Sequence, residues 1–450
     1  MSSKPLPRRA DPKDADPMTT RDAADAPEVA SPAGRSRRNT ALIFAATLAF
    51  TLSLAGSALK NTIQVDFSPI AVDLGVSRGT FAWSTTVFAV VIAVASPVVG
   101  VLADRFGGAA VLVSGTVLAG AAFLICAAAP GVSLFASVYG VLGAFAFTML
   151  SYVPLGKLAS ELFTARGEGL AYAVMTNGPA VGFIVLVPLW VWLGAFASWR
   201  AVFVVAGLSM LLVLTPLALL LYRLSGQDEP APTATPGTPG TADDARLGFG
   251  DRLRLAAANP VFLALTVAFT GCGITMAFVD VHLVTDLHEH GMSPGVVSGT
   301  LAMLGVFEIL GSLAAGRRCD RGRVRQTLLV GYALRGGAMV LVAFDATVTA
   351  SLAFGVIFGA SYLATVVATT LWIGRVLPEG ARATGLGLLW TLHSIGAALS
   401  SQLGALVADS YNSYTQVAMG EALLVGVSFL LIARLPAPRP AALPAGASRQ

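Results

Sequence analysis

The sequence predicts an all-α membrane protein with twelve transmembrane helices arranged as two six-helix halves. Three observations carry that prediction. Of 450 residues, 55% are hydrophobic and only 12% charged, with a mean hydropathy of +0.74; a soluble chain carries about 25% charged residues. The apolar residues gather into twelve runs, each near the roughly 20 residues that a bilayer core requires. From Phe106 to Gly156 no charged residue occurs, although two runs and the turn between them lie there.

The first six runs are 41–62, 81–103, 109–128, 132–156, 168–193 and 199–222. The second six are 259–281, 295–316, 326–344, 348–372, 383–408 and 414–433. Residues 1–38 mix charge with Pro, Ala and Asp and read as a disordered tail. Residues 224–258 begin with a stretch rich in Ser, Gly, Pro, Thr and Asp and read as the linker between bundles 39–223 and 259–434. Residues 435–450 are Pro- and Ala-rich and read as a loose tail. Arginines set the orientation. Arg35, Arg37 and Arg38 precede the first run, and the even connections hold Arg105, Lys157, Arg223, Arg252, Arg317, Arg321, Arg375 and Arg382, among others. The other side keeps only Arg78 and Arg200. Such an asymmetry predicts both termini on the cytoplasmic side of the plasma (cytoplasmic) membrane.

Composition excludes several function classes. The net charge of +4 is small and the arginines form no nucleic-acid face. Cys126, Cys272 and Cys319 stand far apart, without metal-ligand spacing. No G-x-x-x-x-G-K-[ST] loop occurs, so the chain shows no ATP-driven engine and calls for no cofactor. A membrane enzyme would need a polar constellation. The chain has four histidines. His282, His288 and His290, with Asp286, read as a solvated outer loop rather than a metal site. Asp280 and His282 read as caps on the outer end of the seventh helix.

The loops after the second and eighth runs repeat one pattern. The first is Gly100-Val-Leu-Ala-Asp104-Arg105-Phe-Gly107, and the second Gly316-Arg317-Arg318-Cys319-Asp320-Arg321-Gly322. Each sets an Asp-Arg pair four residues after a Gly at the end of a span. In such a loop the aspartate can face a helix N-terminus, and the arginine can reach carbonyls at a helix C-terminus. Asp104, Arg105, Asp320 and Arg321 are therefore expected to form cytoplasmic gating loops that break and re-form as two bundles rock.

This doubled loop resembles the cytoplasmic signature of the major facilitator superfamily, and the resemblance covers about residues 39–434. A narrower likeness points to bacterial members of the monocarboxylate transporter family. It rests on Ala58-Leu-Lys60-Asn61-Thr-Ile63, Phe81-Ala-Trp83-Ser84, Arg166-Gly-Glu168-Gly169, Gly178-Pro-Ala-Val-Gly182, Ser198-Trp-Arg200 and the stretch from Gly385 through His393 to Ala398. The resemblance implies a proton-coupled carrier of a small organic anion that works as a monomer in the lipid bilayer. There are two departures. The acidic-Gly-aromatic signature expected at the start of helix 1 is replaced by Arg38-Asn39-Thr40-Ala41-Leu42. Ser312 stands where carboxylate carriers of this kind place an arginine on helix 8.

Ionisable groups inside a span are costly and each invites a role. Lys60 lies about 20 residues, or roughly 30 Å, along the first helix and is expected near its outer end. It is either a snorkelling lysine or the cation that captures a carboxylate. Glu308 lies roughly 13 Å above the arginines of its loop and Arg335 roughly 15 Å from the same side. They form either a buried ion pair or, for Glu308, the proton-coupling acid with Arg335 structural. His393, Asn61, Tyr152, Asn177 and Tyr362 are candidate substrate-binding groups, each with a packing role as the alternative. A proton-driven drug exporter is the second functional reading. It is weakened because the arginine expected in helix 4 is absent from Tyr139-Gly140-Val141-Leu142-Gly143.

Overall fold

The computed structural model describes residues 32–163, 167–226, 248–411 and 413–437, with side chains from Asn39 onward. Most of the expected N-terminal tail, the middle of the linker and the end of the C-terminal tail lie outside the described residues. The chain parts into two compact units, Met1–Ala41 and Leu42–Gln450. The described part of the first unit is helical. The helix begins at Pro32 rather than after residue 38, because proline suits a first helical turn and nothing in Arg35–Arg38 breaks the helix.

Among the described residues there are twelve long helices and no strand. We label them α1 (Pro32–Gly56, continued as Ala58–Asp73), α2 (Arg78–Phe106), α3 (Gly108–Ala127), α4 (Val132–Leu162), α5 (Glu168–Gly194) and α6 (Trp199–Leu224). The second half comprises α7 (Pro260–Glu289), α8 (Pro294–Asp320), α9 (Val324–Phe344), α10 (Val348–Val376), α11 (Arg382–Tyr411) and α12 (Thr415–Arg434). All but α11 are apolar enough over their length to cross a membrane. At 30 residues α11 is long enough, but it is diluted by Thr384, His393 and Ser400, which it buries inside the bundle.

Local chemistry sets many of the helix starts. Ser77, Ser198, Asn259, Ser293 and Thr347 each accept a backbone N–H from the first turn that follows. Such caps satisfy otherwise orphaned donors. Pro260 and Pro294 occupy first-turn positions. Helices α5 and α11 have no such cap of their own. The part of the linker nearest the second bundle is a short helix, Phe249–Ala257, with Arg252 buried.

Two helices run further than their apolar runs. α1 continues to Asp73 and α7 to Glu289. Lys60 is therefore well inside its helix, with 13 residues, or roughly 20 Å, still to come. Asp280 and His282 lie within α7 and do not cap it. Periodic hydropathy stops where polar residues begin, whereas a helix lining a polar cavity does not.

Apolar side chains such as Val90, Val94, Phe183, Ile184, Leu212 and Leu423 stay exposed on the outside, as a lipid-facing surface requires. At the end away from most arginines, Arg200 ties the first half together. It pairs with Asp73 at 3.0 Å and donates to the carbonyls of Ala127 and Ala129 at the end of α3.

Candidate functional site

The repeated loops make two matched clasps between the halves. Asp104, at the end of α2, accepts the N–H groups of Ala383 and Thr384 at 2.9 and 2.8 Å and the Thr384 hydroxyl at 2.7 Å. Asp320, at the end of α8, accepts the N–H groups of Gly169 and Leu170 at 2.7 and 3.0 Å. α5 and α11, which have no side-chain caps of their own, are thus capped by the opposite half, with a carboxylate at the positive end of each helix. The glycine four residues earlier explains the spacing. Gly100 lies directly against the backbone of Ala383 and Thr384, and Gly316 against that of Gly169 and Leu170. A Cβ at either glycine would overlap those atoms and lift the aspartate, one turn on, away from its donors.

The arginines of the loops do not act as expected. Arg105 lies over the ring of Phe106 at 5.2 Å and Arg321 is exposed. Carbonyl capping falls to Arg325, which donates to Ile432 and Ala433 at the end of α12. Arg252 of the linker helix donates to Gly380 O and pairs with Asp104 at 3.4 Å. Lys157 adds an ion pair across the seam with Glu379 at 3.8 Å. Sequence reasoning missed Arg252 because nothing in a linker marks a residue for burial.

Above the clasps the halves stay in contact to mid-depth. Asn177 Nδ2 donates to Ser312 Oγ at 2.7 Å, and Tyr172 is 3.2 Å from Thr370 Oγ1. Thr391 donates to Ala93 O at 2.6 Å. Tyr152 stacks on Trp390 with ring centroids 4.4 Å apart. Ser312, at the position of the missing arginine, is occupied with Asn177. Asn177 Oδ1 and Trp390 Nε1 are buried and find no hydrogen-bond partner among the described residues.

Beyond that floor sits a group of polar side chains from five helices. Asp280 (α7) is within electrostatic reach of Lys60 (α1), and the Tyr362 hydroxyl (α10) lies beside its carboxylate. Glu308 (α8) lies near Asp280. Tyr152 (α4) faces both acids. Lys60 and Asp280 are solvent-exposed, and Glu308, Tyr152 and Tyr362 are half-buried. Among the described residues, none of the three charged groups forms an ion pair within 4.0 Å.

Lys60 lies 28 residues past the start of α1 at Pro32, and Asp280 lies 20 residues past Pro260 in α7. Lys60 follows a break in regular helix at Ser57 in α1, and Asp280 lies within the π-helical turn Phe278–His282 of α7. Such turns often mark functional positions. Sequence reasoning passed over Asp280 because α7 was expected to end there.

The remaining candidates lie elsewhere. Asn61 is buried and donates to Ser57 Oγ at 3.2 Å, bracing the break in α1. His393 is buried between α11 and α7, against Phe269 and Trp390, with Nε2 3.3 Å from Met276 Sδ. Arg335 does not pair with Glu308. It is fully buried, donates to the carbonyls of Ser361, Tyr362 and Cys272, and lies over Phe358. Of the two readings open for Arg335, an ion pair with Glu308 or a structural role, the contacts match the structural one, with its donors spent on helix carbonyls. His282 is buried against Gly404, whereas His290 pairs with Asp286 at 3.3 Å. Among the described residues, no three His, Cys, Asp or Glu side chains gather as a metal site would require.

The family model of the Major Facilitator Superfamily matches residues 40–307 and 261–450. An uncharacterised MFS-type transporter of Bacillus subtilis, YcxA, is 26% identical over 86% of this chain and 93% of its own length. Monocarboxylate transporter 13 of Bos taurus is 28% identical over 78% of this chain and 79% of its own. Among solved structures, the E. coli fucose:proton symporter FucP aligns with a TM-score of 0.66 at 14% identity, covering 87% of this chain and 98% of that one. The human organic anion transporter MFSD10 aligns with the same TM-score and identity, over 87% and 99%.

Proposed function

Because the chain belongs to the major facilitator superfamily, we propose that this transporter carries a small organic anion, a monocarboxylate, together with a proton by alternating access. The observation that carries the reading is a solvent-exposed Lys60 within electrostatic reach of Asp280, which in turn lies near Glu308. An ammonium in a low-dielectric cavity attracts a carboxylate strongly. With one proton resident on the acid pair the group is neutral. One further proton and one carboxylate then enter together without leaving net charge behind. The likeness to monocarboxylate transporters supports the same substrate class.

In this reading the clasped, arginine-rich end faces the cytoplasm, with both termini inside, and the carrier rests open to the outside of the plasma membrane. A single chain holds the whole pathway. A second reading, proton-driven export of a cationic compound, is favoured by one observation: two carboxylates stand against one ammonium.

The test is uptake into proteoliposomes of radiolabelled lactate, pyruvate and butyrate under an imposed pH gradient. The expected result is accumulation that follows the gradient and is lost in Lys60→Ala. Absence of carboxylate uptake by folded wild-type protein, with proton-driven efflux of a lipophilic cation, would replace the first reading with the second.

A further inference from the structure

We propose that α7 and α11 hold a soft monovalent metal ion, Cu(I), between Cys272 Sγ, Met276 Sδ and His393 Nε2. Cys272 and Met276 stand one helical turn apart on the same face of α7, with their sulfur atoms 3.9 Å apart. His393 reaches them from α11, with Nε2 3.3 Å from Met276 Sδ. Both spacings suit donors around a single ion. Bonds of about 2.3 Å to sulfur and about 2.0 Å to nitrogen, at trigonal to tetrahedral angles, set two sulfurs ~4 Å apart and a sulfur and a nitrogen ~3.5 Å apart. Gly273 belongs to the same arrangement. A Cβ there would overlap the His393 carbonyl oxygen and lie 3.0 Å from the His393 Cγ, so the glycine lets α11 come close enough for the imidazole to reach Met276.

The donor set selects the metal. A thiol, a thioether and an imidazole suit Cu(I), whereas a hard cation needs carboxylates, carbonyls or water. Among the described residues no third His, Cys, Asp or Glu joins Cys272 and His393, so the Met276 thioether is what completes the set. All three side chains are buried. The rings of Phe269 and Trp390 each lie 4.8 Å from the imidazole and shield it from water. Arg335 Nη1 and Thr365 Oγ1 lie 2.6 and 3.5 Å from Cys272 Sγ and serve as outer partners of the metal-bound sulfur. The binding step balances: Cu(I) displaces the thiol proton, the S–H bond gives way to an S–Cu bond, the proton leaves to solution, and nothing is oxidised or reduced. The charge of the site is the same before and after, so the nearby guanidinium does not expel the ion. Both helices belong to the second half. The ion is therefore a resident that ties α7 to α11, separate from the solute carried between the halves.

The experiment titrates the full-length protein in detergent with Cu(I), without oxygen, against the coloured cuprous chelator bicinchoninate. Wild type is expected to draw one equivalent from the chelator. Cys272→Ser and His393→Gln are expected to lose that uptake. Met276→Leu, which keeps the shape of the side chain, is expected to bind more weakly by over about tenfold, the loss that removing even an outer partner causes. The double variant Cys126→Ser with Cys319→Ser, which removes the other two thiols, is expected to bind as wild type does. No uptake by wild type, undiminished uptake in Cys272→Ser, or loss of uptake in the double variant would overturn the site. Tight binding of Zn(II) with no binding of Cu(I) would overturn the metal class. If Cys272→Ser or His393→Gln fails to fold, X-ray absorption of the copper-loaded wild type decides. Sulfur and nitrogen neighbours together support the site, and neighbours of nitrogen and oxygen alone refute it. Every readout is metal binding, so the result is independent of which solute the carrier moves.

Discussion

Arg335 shows what a single buried residue does in this bundle. Its guanidinium reaches acceptors on α7 and α10 at once, through Cys272, Ser361 and Tyr362. A planar fork can do this, whereas a single ammonium on a flexible stem cannot satisfy the same set. Arg335→Lys is expected to lose about 2 kcal/mol of stability, read as a lower thermal midpoint in detergent. An unchanged midpoint would mean that the carbonyls gain nothing from the guanidinium. Ser312 and Asn177 make the complementary point. Their 2.7 Å hydrogen bond fills the place where the family resemblance leads one to expect an arginine, so under the proposed function the cation for an anion is sought elsewhere. Lys60 is the basic side chain within electrostatic reach of Asp280.

At the scale of the helix, the deciding feature is which helices carry their own caps. α2, α6, α7, α8 and α10 are capped by a Ser, Thr or Asn from their own preceding turn. α5 and α11 are capped by aspartates of the opposite half, so their N-terminal donors are satisfied only while this end is closed. Losing one cap costs about 1 kcal/mol, up to about 2. Asp104→Ala together with Asp320→Ala should therefore shift the closed-to-open ratio by about tenfold to a thousandfold. The shift would be read as a longer distance between spin labels at the exposed Arg105 and Arg321. The glycines make a sharper case. Gly316→Val places a side chain where the backbone of Gly169 lies, and is expected to prevent closure rather than weaken it. A short label distance in that variant would contradict the argument.

For the whole molecule, the contacts between halves run from the clasps to Tyr152 and Trp390, and the charged cluster beyond is open to solvent. The expected consequence is one-sided access. Lys60→Cys should react with a membrane-impermeant thiol reagent added at the side opposite the arginine-rich loops and be spared from the other side. Equal reaction from both sides would mean that the clasps do not seal. Much of this architecture was legible in the chain, and the reasons are local. Hydropathy located the twelve helices to within a few residues wherever both faces of a helix were apolar. It failed at α1 and α7, where polar cavity-lining residues end the apolar run before the helix ends. The Gly–Asp spacing of the repeated loops also stood out, because a clasp within one turn must be written in one turn.

The sequence by itself determined the membrane class, the two six-helix halves, the pairing of Gly100 with Asp104 and of Gly316 with Asp320, and the presence of Lys60 and Glu308 within spans. All of these follow from composition or from residues close together in the chain. Only the tertiary structure decided which groups meet. It set Asp280 opposite Lys60, turned Arg335 away from Glu308 toward helix carbonyls, enclosed His393 between α7 and α11, and brought Arg252 from the linker onto Asp104. The physical reason is that a partner far away in sequence is chosen by the direction in which each side chain leaves its helix and by how the helices pack, and neither is encoded in local periodicity.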